Sequence, residues 1–422
     1  MSPKTKTADL DFHTGKMKTF LHLLGNTLFV SVINFTIWFA ITFYTYIQTR
    51  SVFATGIIAG IFLVLTAGSG IWFGSLVDHH KKKTMMQLSS AVSLFMYVIA
   101  LTIYLLTDKA VFADPTSVTL WVFITFLMIG VIVGNIRTIA MPTLVTILVP
   151  EDRRDKANGL VGTASGVSFL VTSVLSGLLV AWNGMLSVLV LAVIILAASI
   201  VHLWFVTVPE KGVVHIDGQA PPDKSVDLKG TIKLVRSVPG LPALILFSTF
   251  NNFLGGVFMA LMDAYGLELM SVQAWGLLWG VLSTGFIFGG LVIAKTGLGK
   301  NPLKTLLLVN LVMWSITLLF PLQASIWMLA VGMLVYMYII PYAEAAEQTI
   351  LQRVVPFERQ GRVFGFAQSV EQAASPLTAF AIAPIAQFIF IPFMTTGAGV
   401  GLIGGWFGTG VNRGIAIIFI LA

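Results

Sequence analysis

The sequence predicts an all-α integral membrane protein with twelve membrane-spanning helices, and two observations carry that prediction. Of the 422 residues, 57% are apolar and only 10% are charged, whereas about a quarter of the residues in a soluble domain are charged. The apolar residues also form runs of the roughly 20 residues that a helix needs to cross a bilayer. A soluble fold of this size could not hydrate its surface with so few charges.

Charged residues and Pro/Gly breaks divide the chain into eleven complete spans and the start of a twelfth. The predicted spans are residues 18–47, 52–77, 84–107, 117–148, 157–181, 184–208, 239–264, 272–295, 303–322, 325–352, 361–391 and a segment that starts at 412. The chain reaches Ala422 only about ten residues into that last segment, which is too short to cross alone. We therefore expect the twelfth helix to be incomplete in this chain.

The longest polar segment, residues 209–238, lies between spans six and seven and is predicted to be a central cytoplasmic loop. It separates two six-helix bundles, residues 18–208 and 239–422. Residues 1–17 are polar and of mixed charge, which predicts a cytoplasmic tail. Within the central loop, residues 226–236 have the pattern of a short amphipathic helix that lies on the membrane surface.

The placement of the basic residues predicts a cytoplasmic N-terminus. With that orientation, 21 of the 25 Lys and Arg residues fall in inner segments, and Arg137 lies within a span. Positive loops stay on the cytoplasmic side, so the net charge of +7 reflects topology and does not indicate a nucleic-acid partner. We expect a multi-pass protein of the cell membrane, inner or plasma, in contact with lipid.

Two short stretches repeat at a fixed offset of 206 in the residue numbering. The sequence VPEDR at residues 149–153 matches VPFER at residues 355–359, and Gly159 matches Gly365. The stretches follow spans four and ten, which are equivalent positions in the two halves. A six-plus-six internal repeat is typical of secondary transporters.

The loop after span two carries a ten-residue motif, GSLVDHHKKK at residues 74–83. It resembles the G-x-L-x-D-x-x-x-[RK]-[RK] loop motif of the major facilitator superfamily, and the layout fits that family along nearly the whole chain. The stretches LVPEDRRDKANGLVGTASG and ILQRVVPFERQGRVFG are similar to its macrolide-efflux and enterobactin-exporter branch. The resemblance implies a proton- or cation-coupled exporter that works by alternating access. It also implies that spans 1, 4, 7 and 10 line a central cavity and that spans 2, 5, 8 and 11 pack between the halves.

The chain departs from the family pattern in three places. The loop after span eight has Ala294 and Lys295 where the motif places an acid. The glycine-proline motif of span five is present only in part, as Gly159, Gly162, Gly166 and Gly177. Span one carries no acidic residue, so the coupling ion and the direction of transport stay open at this point.

Asp78, at the inner end of span two, is the predicted gating residue. Its carboxylate is expected to pair with basic loops or with the positive N-terminal end of span eleven near Gly361. The alternative is a loop acid that only balances the neighbouring lysines. The basic residues assigned to this gate are Lys82, Lys83, Arg359 and Arg362.

Three carboxylates, Glu344, Glu347 and Glu371, lie inside apolar segments, where loss of hydration favours the neutral form of a carboxyl group. Glu371 is close to the predicted midplane, and the offset of the repeat places Glu344 one residue from the position of Arg137. Glu344 and Glu371 are therefore the candidates for proton coupling, and Arg137 is the candidate charge partner of Glu344. Glu347 lies nearer the cytoplasm and is assigned a structural role.

Each of these charged residues also has a structural alternative. Arg137 can extend toward the inner headgroups. Glu371 can be held by a polar neighbour on its own helix, for which the candidates are Gln368, Gln372 and Ser375.

Polar and aromatic residues near mid-span predict a pocket for a bulky organic substrate, because such pockets are apolar with a few polar anchors. The predicted lining is Asn34, Trp38 and Phe39 in span one, Asn251, Asn252 and Phe253 in span seven, and Tyr338 and Tyr342 in span ten. Ordinary helix packing is the alternative for each aromatic residue.

Together these features predict a secondary active transporter, a proton-coupled efflux antiporter for an amphipathic, drug-like small molecule. A carrier of a specific metabolite, siderophore or lipid, in either direction, is the second interpretation, and a membrane sensor or membrane enzyme is the third. The sequence has no G-x-x-x-x-G-K-[ST], G-x-S-x-G or H-E-x-x-H motif, which argues against ATP-driven transport and against an enzyme. We expect a monomer with no cofactor and no metal site.

Overall fold

The computed structural model describes residues 14–49, 52–209 and 228–422. Within these residues the secondary structure is helical and no strand is present. Ten helical segments of the described chain are long and apolar enough to cross a membrane, which confirms the all-α membrane fold. Most of the predicted N-terminal tail and of the predicted central loop lies outside the described residues.

The helices are numbered in chain order. They are α1 Gly15–Thr49, α2 Val52–His79, α3 Lys82–Leu106, α4 Val118–Gly134, α5 Ile136–Leu148, α6 Arg154–Phe205, α7 Leu228–Ser237, α8 Leu241–Leu267, α9 Val272–Thr296, α10 Pro302–Leu319, α11 Ile326–Val354, α12 Gln360–Ile385, α13 Ile391–Thr395, α14 Ala398–Leu402, α15 Gly404–Phe407 and α16 Val411–Leu421. The amphipathic helix predicted in the central loop corresponds to α7.

Predicted spans five and six form the single long helix α6, which is interrupted at Asn183 and Gly184 by non-helical backbone angles. The hydroxyl of Ser187 donates to the carbonyl oxygen of Leu179 across this break at 2.7 Å. Eight residues of continuous helix would separate the two by about 12 Å. The chain therefore reverses direction here, at the boundary that the sequence predicted, and α6 supplies two spans.

The end of predicted span eleven differs from a straight helix. α12 ends at Ile385, a five-residue π-helical turn covers Ala386–Phe390, and α13 follows with Pro392 in its first turn. Proline lacks the N–H that a regular α-helix needs at that position, so the chain widens locally. The predicted outer loop after it contains the short helices α14 and α15.

The internal repeat is visible in the helix ends. α5 ends at Leu148 and α11 at Val354. The 3-10 turns that follow cover Glu151–Arg153 and Phe357–Arg359. α6 and α12 then begin at Arg154 and Gln360. Each pair of boundaries therefore has the same offset as the VP motifs of the sequence.

Equivalent hydrogen bonds support the same repeat. The guanidinium of Arg154 donates to the carbonyl oxygens of Thr146 and Val149 at 3.2 and 3.4 Å. The side-chain amide of Gln360 donates to the carbonyl oxygens of Gln352 and Val355, both at 3.2 Å. These donors and acceptors occupy equivalent positions of the repeat, so the two halves share one local fold.

The two halves meet along two helix pairs. α2 of the first half packs on α12 of the second, and α6 packs on α9, so helices of spans 2, 5, 8 and 11 pack between the halves as the resemblance implied. The approach of α6 to α9 depends on glycine. A Cβ atom on Gly159 would lie 2.7 Å from the backbone nitrogen of Ala294, and one on Gly290 would lie 2.6 Å from that of Thr163.

The last helix is attached to the second half by Arg413. Its guanidinium is 1% exposed and donates at 2.9 Å to the carbonyl oxygen of Pro321 and to the hydroxyl of Tyr265. It also lies 4.9 Å from the ring centroid of Phe407, which is the geometry of a cation–π contact. Arg413 therefore joins α16 to α8 and to the turn after α10.

Candidate functional site

The carboxylate of Asp78 holds the N-terminus of α12. Its two oxygens accept the backbone N–H groups of Gly361 and Arg362 at 2.6 and 2.8 Å. The side chain of Arg362 adds an ion pair, with Nε 3.4 Å from Oδ2 of Asp78, and it also contacts His79 at 3.0 Å. A carboxylate is favoured at this end of a helix by the helix dipole, and the contact is the one that the sequence led us to expect.

The other basic residues assigned to the gate lie around this contact. Lys82 is 7% exposed, its ammonium is 5.3 Å from the ring centroid of Phe357, and its charge acts on Asp78. Lys83 is half-buried in the first turn of α3, and Arg359 is exposed in the 3-10 turn before α12. The gating role of all four basic residues stays a prediction.

A second group of polar contacts joins the halves near the same end of the bundle. The amide of Asn158 in α6 donates to Thr349 at 2.9 Å and to Gln352 at 3.0 Å, both in α11. Gln352 in turn donates to the carbonyl oxygen of Pro142 in α5 at 3.0 Å. We call the end of the bundle that carries Asp78, Asn158, Gln352 and Gly361 the closed end.

Glu347 and Glu371 form a carboxyl pair. Glu347 of α11 is within hydrogen-bonding range of Glu371 of α12, and it also reaches the hydroxyl of Ser248 in α8. A hydrogen bond between two carboxyl groups requires a proton on one of them, because a carboxylate only accepts hydrogen bonds. Oε1 of Glu371 is buried and has no donor among the described residues. The rotation of α11 turns Glu347 toward Glu371, and the structural role assigned to Glu347 from its depth stays a prediction.

Glu344 lies one helical turn before Glu347, close enough for the two carboxyl groups to interact electrostatically. Its side chain is exposed although it lies inside the apolar span Ile326–Val354. Three carboxyl groups from two helices are thus gathered at one depth. The described residues nevertheless contain no group of three or more His, Asp or Glu side chains placed to hold a metal ion.

The expected pairing of Arg137 with Glu344 is not present. Arg137 is 2% exposed and its guanidinium donates to Asn26 at 2.8 Å and to the carbonyl oxygen of Met86 at 3.2 Å. It also contacts the hydroxyls of Ser90 and Ser199. All of these groups belong to the first half, so the guanidinium points into its own bundle. The equal depth that the repeat predicted does not fix which way the side chain faces.

The neighbours of Glu371 on α12 have other partners. Gln368 donates to Thr138 of α5 at 3.1 Å, and Ser375 donates to the carbonyl oxygen of Asn252 in α8 at 2.8 Å. Gln372 is exposed. The contact of Thr138 with Gln368 also joins the two halves. Thr138 is the position equivalent to Glu344 in the repeat, and in the structure it contacts α12.

The predicted pocket residues divide into two groups. Asn34 does not face open space, because it is 7% exposed and accepts the hydroxyl of Tyr97 at 2.9 Å. Trp38 is half-buried and stacks on Phe62, with 3.9 Å between ring centroids. Phe39 is also half-buried, and its ring lies 6.0 Å from that of Phe43.

The pocket residues of the second half lie on α8 and α11, the helices that carry Ser248 and Glu347. Tyr338 and Tyr342 share a face of α11 with hydroxyl oxygens 3.5 Å apart. Asn252 donates to the carbonyl oxygen of Ser248 at 3.0 Å, and Ser248 is the residue that Glu347 reaches. Asn251 is half-buried and Phe253 is exposed. α8 therefore presents an amide close to Glu347, and α11 presents a pair of tyrosine hydroxyls on a separate face.

Sequence reasoning missed Ser248, Asn158 and Gln352. The last two lie beside the repeated VP motifs, where the offset marks them as equivalent to Phe364 and Thr146, and that position was an available signal. Ser248 is a single hydroxyl in an apolar span and gave none, because its role depends on how α8 is rotated against α11.

Two repeated helical bundles, joined by polar contacts at one end and with carboxyl groups inside apolar spans of the second bundle, have the architecture of a secondary membrane transporter. The model of the family described as Major Facilitator Superfamily matches residues 23–379. The chain belongs to that family, and the resemblance predicted from the loop motif is confirmed.

Individual relatives agree with this assignment. Macrolide efflux protein A of Streptococcus pyogenes is 24% identical over 351 residues, which are 80% of this chain and 82% of the relative. The human organic anion transporter MFSD10 (TETRAN) has a crystal structure similar to this chain, with a TM-score of 0.71, 14% identity and coverage of 96% of this chain and 99% of that one. A bacterial homologue of the iron transporter ferroportin in an outward-facing state gives a TM-score of 0.65 at 14% identity, with 96% and 98% coverage. At that identity the solved structures show the fold alone.

Proposed function

We propose that this protein is a proton-coupled efflux antiporter for an amphipathic, drug-like small molecule and that it works by alternating access. The observation that carries the proposal is the contact between Glu347 and Glu371. This pair holds a proton when the two groups touch, and it must separate or rearrange when that proton leaves, because two like charges repel in a medium of low dielectric.

Proton binding and gating share one helix. Glu371 lies ten residues along α12 from Gly361, which is about 15 Å of helix. Gly361 and Arg362 form the contact with Asp78 at the closed end. Movement of α12 after loss of the shared proton therefore reaches the contact that holds the two halves together. This link between protonation and opening is the coupling step of the proposal.

The substrate site lies beside the same carboxyl groups. Glu344 is exposed within its span, and Tyr338 and Tyr342 lie on the same helix. An aromatic surface with a few polar anchors suits a large amphipathic molecule. The similarity to macrolide efflux protein A supports both the class of substrate and the outward direction, and it makes a macrolide antibiotic the first compound to test.

The distribution of basic residues favours one orientation in the membrane. Most basic loop residues of the described segments lie at the closed end. Positive loops stay cytoplasmic, so we place the N-terminus inside and the closed end at the cytoplasmic face of the cell membrane. The conformation described here is then closed to the cytoplasm. The expectation of a monomer stays a prediction.

Coupling is tested by reconstitution in vesicles with an imposed pH gradient. One pH unit is worth about 1.4 kcal/mol for each proton exchanged, which supports up to about a tenfold substrate gradient in an electroneutral one-for-one exchange. We expect the parent protein to accumulate a macrolide against its gradient. Glu347→Gln and Glu371→Gln should lose accumulation but keep substrate exchange without a pH gradient. Glu344→Gln should lower apparent substrate affinity.

Glu358→Gln is the matched control, because Glu358 is exposed in the 3-10 turn before α12. Flux in the parent protein that ignores the pH gradient would refute proton antiport. Accumulation in both pair variants equal to that of the control would instead refute the role of the carboxyl pair.

A further inference from the structure

The two helix pairs that join the halves each end in a carboxylate contact, and only one of the two was expected from the loop motif. Asp78 closes the pair of α2 with α12. At the pair of α6 with α9, Oδ2 of Asp155 accepts the backbone N–H of Leu298 at 2.8 Å. We propose that Asp155 is a second gating residue, whose bond to the loop between α9 and α10 must break before the closed end opens. The inference rests on the alternating access of the proposed function.

The two contacts are reciprocal within the internal repeat. Asp155 and Gly361 are equivalent positions of the repeat, and each is the second residue of its helix, directly after equivalent 3-10 turns. In α12 this position offers a backbone N–H to a carboxylate that comes from α2. In α6 the same position carries the carboxylate and accepts an N–H from the neighbouring loop. Donor and acceptor have exchanged sides between the two interfaces.

This exchange explains a departure of the sequence from its family motif. Near its end α9 has Ala294 at the motif position where α2 has Asp78. The end of α9 therefore has no carboxylate that could bind the N-terminus of α6 as Asp78 binds that of α12. Asp155 supplies one from the opposite helix, so both interfaces keep a charge-assisted hydrogen bond between the halves.

The loop is shaped to receive the carboxylate. Gly297 has a φ of +72°, and a Cβ atom there would lie 2.5 Å from Oδ2 of Asp155. Leu298 is fixed from the other side, because its carbonyl oxygen accepts the hydroxyl of Thr305 in α10 at 2.7 Å. Asp155 is 5% exposed, and its Oδ1 accepts the backbone N–H of Lys156 at 2.8 Å. A rigid carboxylate on α6 thus holds a rigid turn that is continuous with α9 and α10.

The consequence for gating follows from which half each partner belongs to. Asp155 lies in the first half and Leu298 in the second, as Asp78 and Gly361 do. When the halves rock apart at the closed end, both bonds must break, and water must replace each of them. Two bonds at opposite interfaces also keep the halves from tilting open on one side only. Loss of either bond should therefore raise the fraction of open molecules.

The absence of cysteine from the sequence allows a direct test. Thr349→Cys places a thiol at a position that is 0% exposed and bonded across the halves by Asn158. Its reaction rate with a hydrophilic maleimide in detergent reports opening of the closed end. This background is combined with Asp155→Ala, Asp155→Asn, Asp78→Ala and Gly297→Ala. Asp152→Ala is the control, because Asp152 is exposed in the turn just before α6.

A hydrogen bond to a charged group stabilises the closed state substantially. Its loss in Asp155→Ala should therefore raise the labelling rate by about 10- to 100-fold. Asp155→Asn should give a smaller rise, because asparagine keeps one acceptor oxygen where Asp155 uses two. Gly297→Ala leaves Asp155 itself unchanged. It should still raise labelling, since the added Cβ atom would push the carboxylate of Asp155 away from the loop. The rises of Asp155→Ala and Asp78→Ala should multiply in the double variant.

Labelling of Asp155→Ala at the rate of Asp152→Ala, with Gly297→Ala also unchanged, would overturn the proposal. A lower melting temperature without faster labelling would do so as well, because it would assign Asp155 a purely structural role. The assay uses neither substrate nor a pH gradient. A failure of proton antiport therefore leaves this result intact, and a failure here leaves the antiport measurement intact.

Discussion

Alanine in place of Gly290 tests whether close packing of α6 on α9 holds the closed end together. An added Cβ atom would lie 2.6 Å from the backbone nitrogen of Thr163 and 2.8 Å from the carbonyl oxygen of Gly159. Ordinary contacts of a Cβ atom begin at 3.4 Å, so the helices must separate by somewhat under about 1 Å. The nearest atom is the side-chain hydroxyl of Thr163, which can rotate away, but the next two are these backbone atoms, which cannot move aside.

The magnitude follows from two opposing terms. Overpacking of a tight interface costs about 1–3 kcal/mol. Alanine also favours the helix over glycine by about 1 kcal/mol, but Gly280→Ala on the same helix shares that gain and has no atom within 4 Å of its added Cβ. The difference between the two variants therefore isolates the interface. It corresponds to a shift of about 5- to 150-fold in the equilibrium between closed and open molecules.

Maleimide labelling of the Thr349→Cys reporter measures this shift, and thermal unfolding of both variants checks stability. We expect Gly290→Ala to label faster than the Thr349→Cys parent and Gly280→Ala to label at the parent rate with an equal or higher melting temperature. Equal labelling and equal melting temperatures for the two alanine variants would refute the reasoning, because the packing of α6 on α9 would then not contribute to closure.

Three further variants test single features of the structure. Arg137→Met removes the donors to Asn26 and Ser90. It should destabilise the fold by at least about 2 kcal/mol without changing the pH dependence of flux. A normal melting temperature with altered pH dependence would restore Arg137 as the charge partner of Glu344. Tyr97→Phe leaves Oδ1 of Asn34 without its buried donor and should cost about 1–2 kcal/mol in thermal unfolding with no change in substrate range, whereas a changed substrate range would return Asn34 to the pocket. Gly184→Ala places a side chain at a φ of +56°, 3.0 Å from the hydroxyl of Tyr104, and should destabilise by about 1–3 kcal/mol. Gly177→Ala, in the same helix with nothing within 4 Å, should not destabilise, and equal melting temperatures for the two would contradict the strained turn.

Much of the fold follows from the sequence because the bilayer imposes a one-dimensional rule. Length and apolarity decide where spans begin and end, and the predicted boundary between spans five and six coincides with the break at Asn183. The repeat was visible for the same reason, since VPEDR and VPFER mark the ends of equivalent helices. The predicted end of span eleven was less accurate. The π-helical turn at Ala386–Phe390 interrupts the helix where the sequence stays apolar, so apolarity gives no sign of the break.

A contact of the candidate site could be predicted only where the sequence alone identifies both partners. Asp78 and the N-terminus of α12 are such a case, because the first turn of a helix presents backbone N–H groups and an acid suits them. Asp155 could have been found by carrying the repeat one step further, since it occupies the position equivalent to Gly361. The acid that is missing at Ala294 has a counterpart on the opposite helix, and that counterpart is Asp155.

The sequence by itself determined that the chain is a membrane bundle of two repeated halves, that Asp78 would meet α12, and that three carboxyl groups lie inside the apolar spans. The tertiary structure decided their partners. Glu347 touches Glu371, and Arg137 bonds within its own half, although depth along the helix had suggested the opposite choices. Depth follows from counting residues, because each residue adds a fixed rise along a helix. The direction in which a side chain points depends on how each helix is rotated against its neighbours, and that rotation is set by packing across the whole bundle.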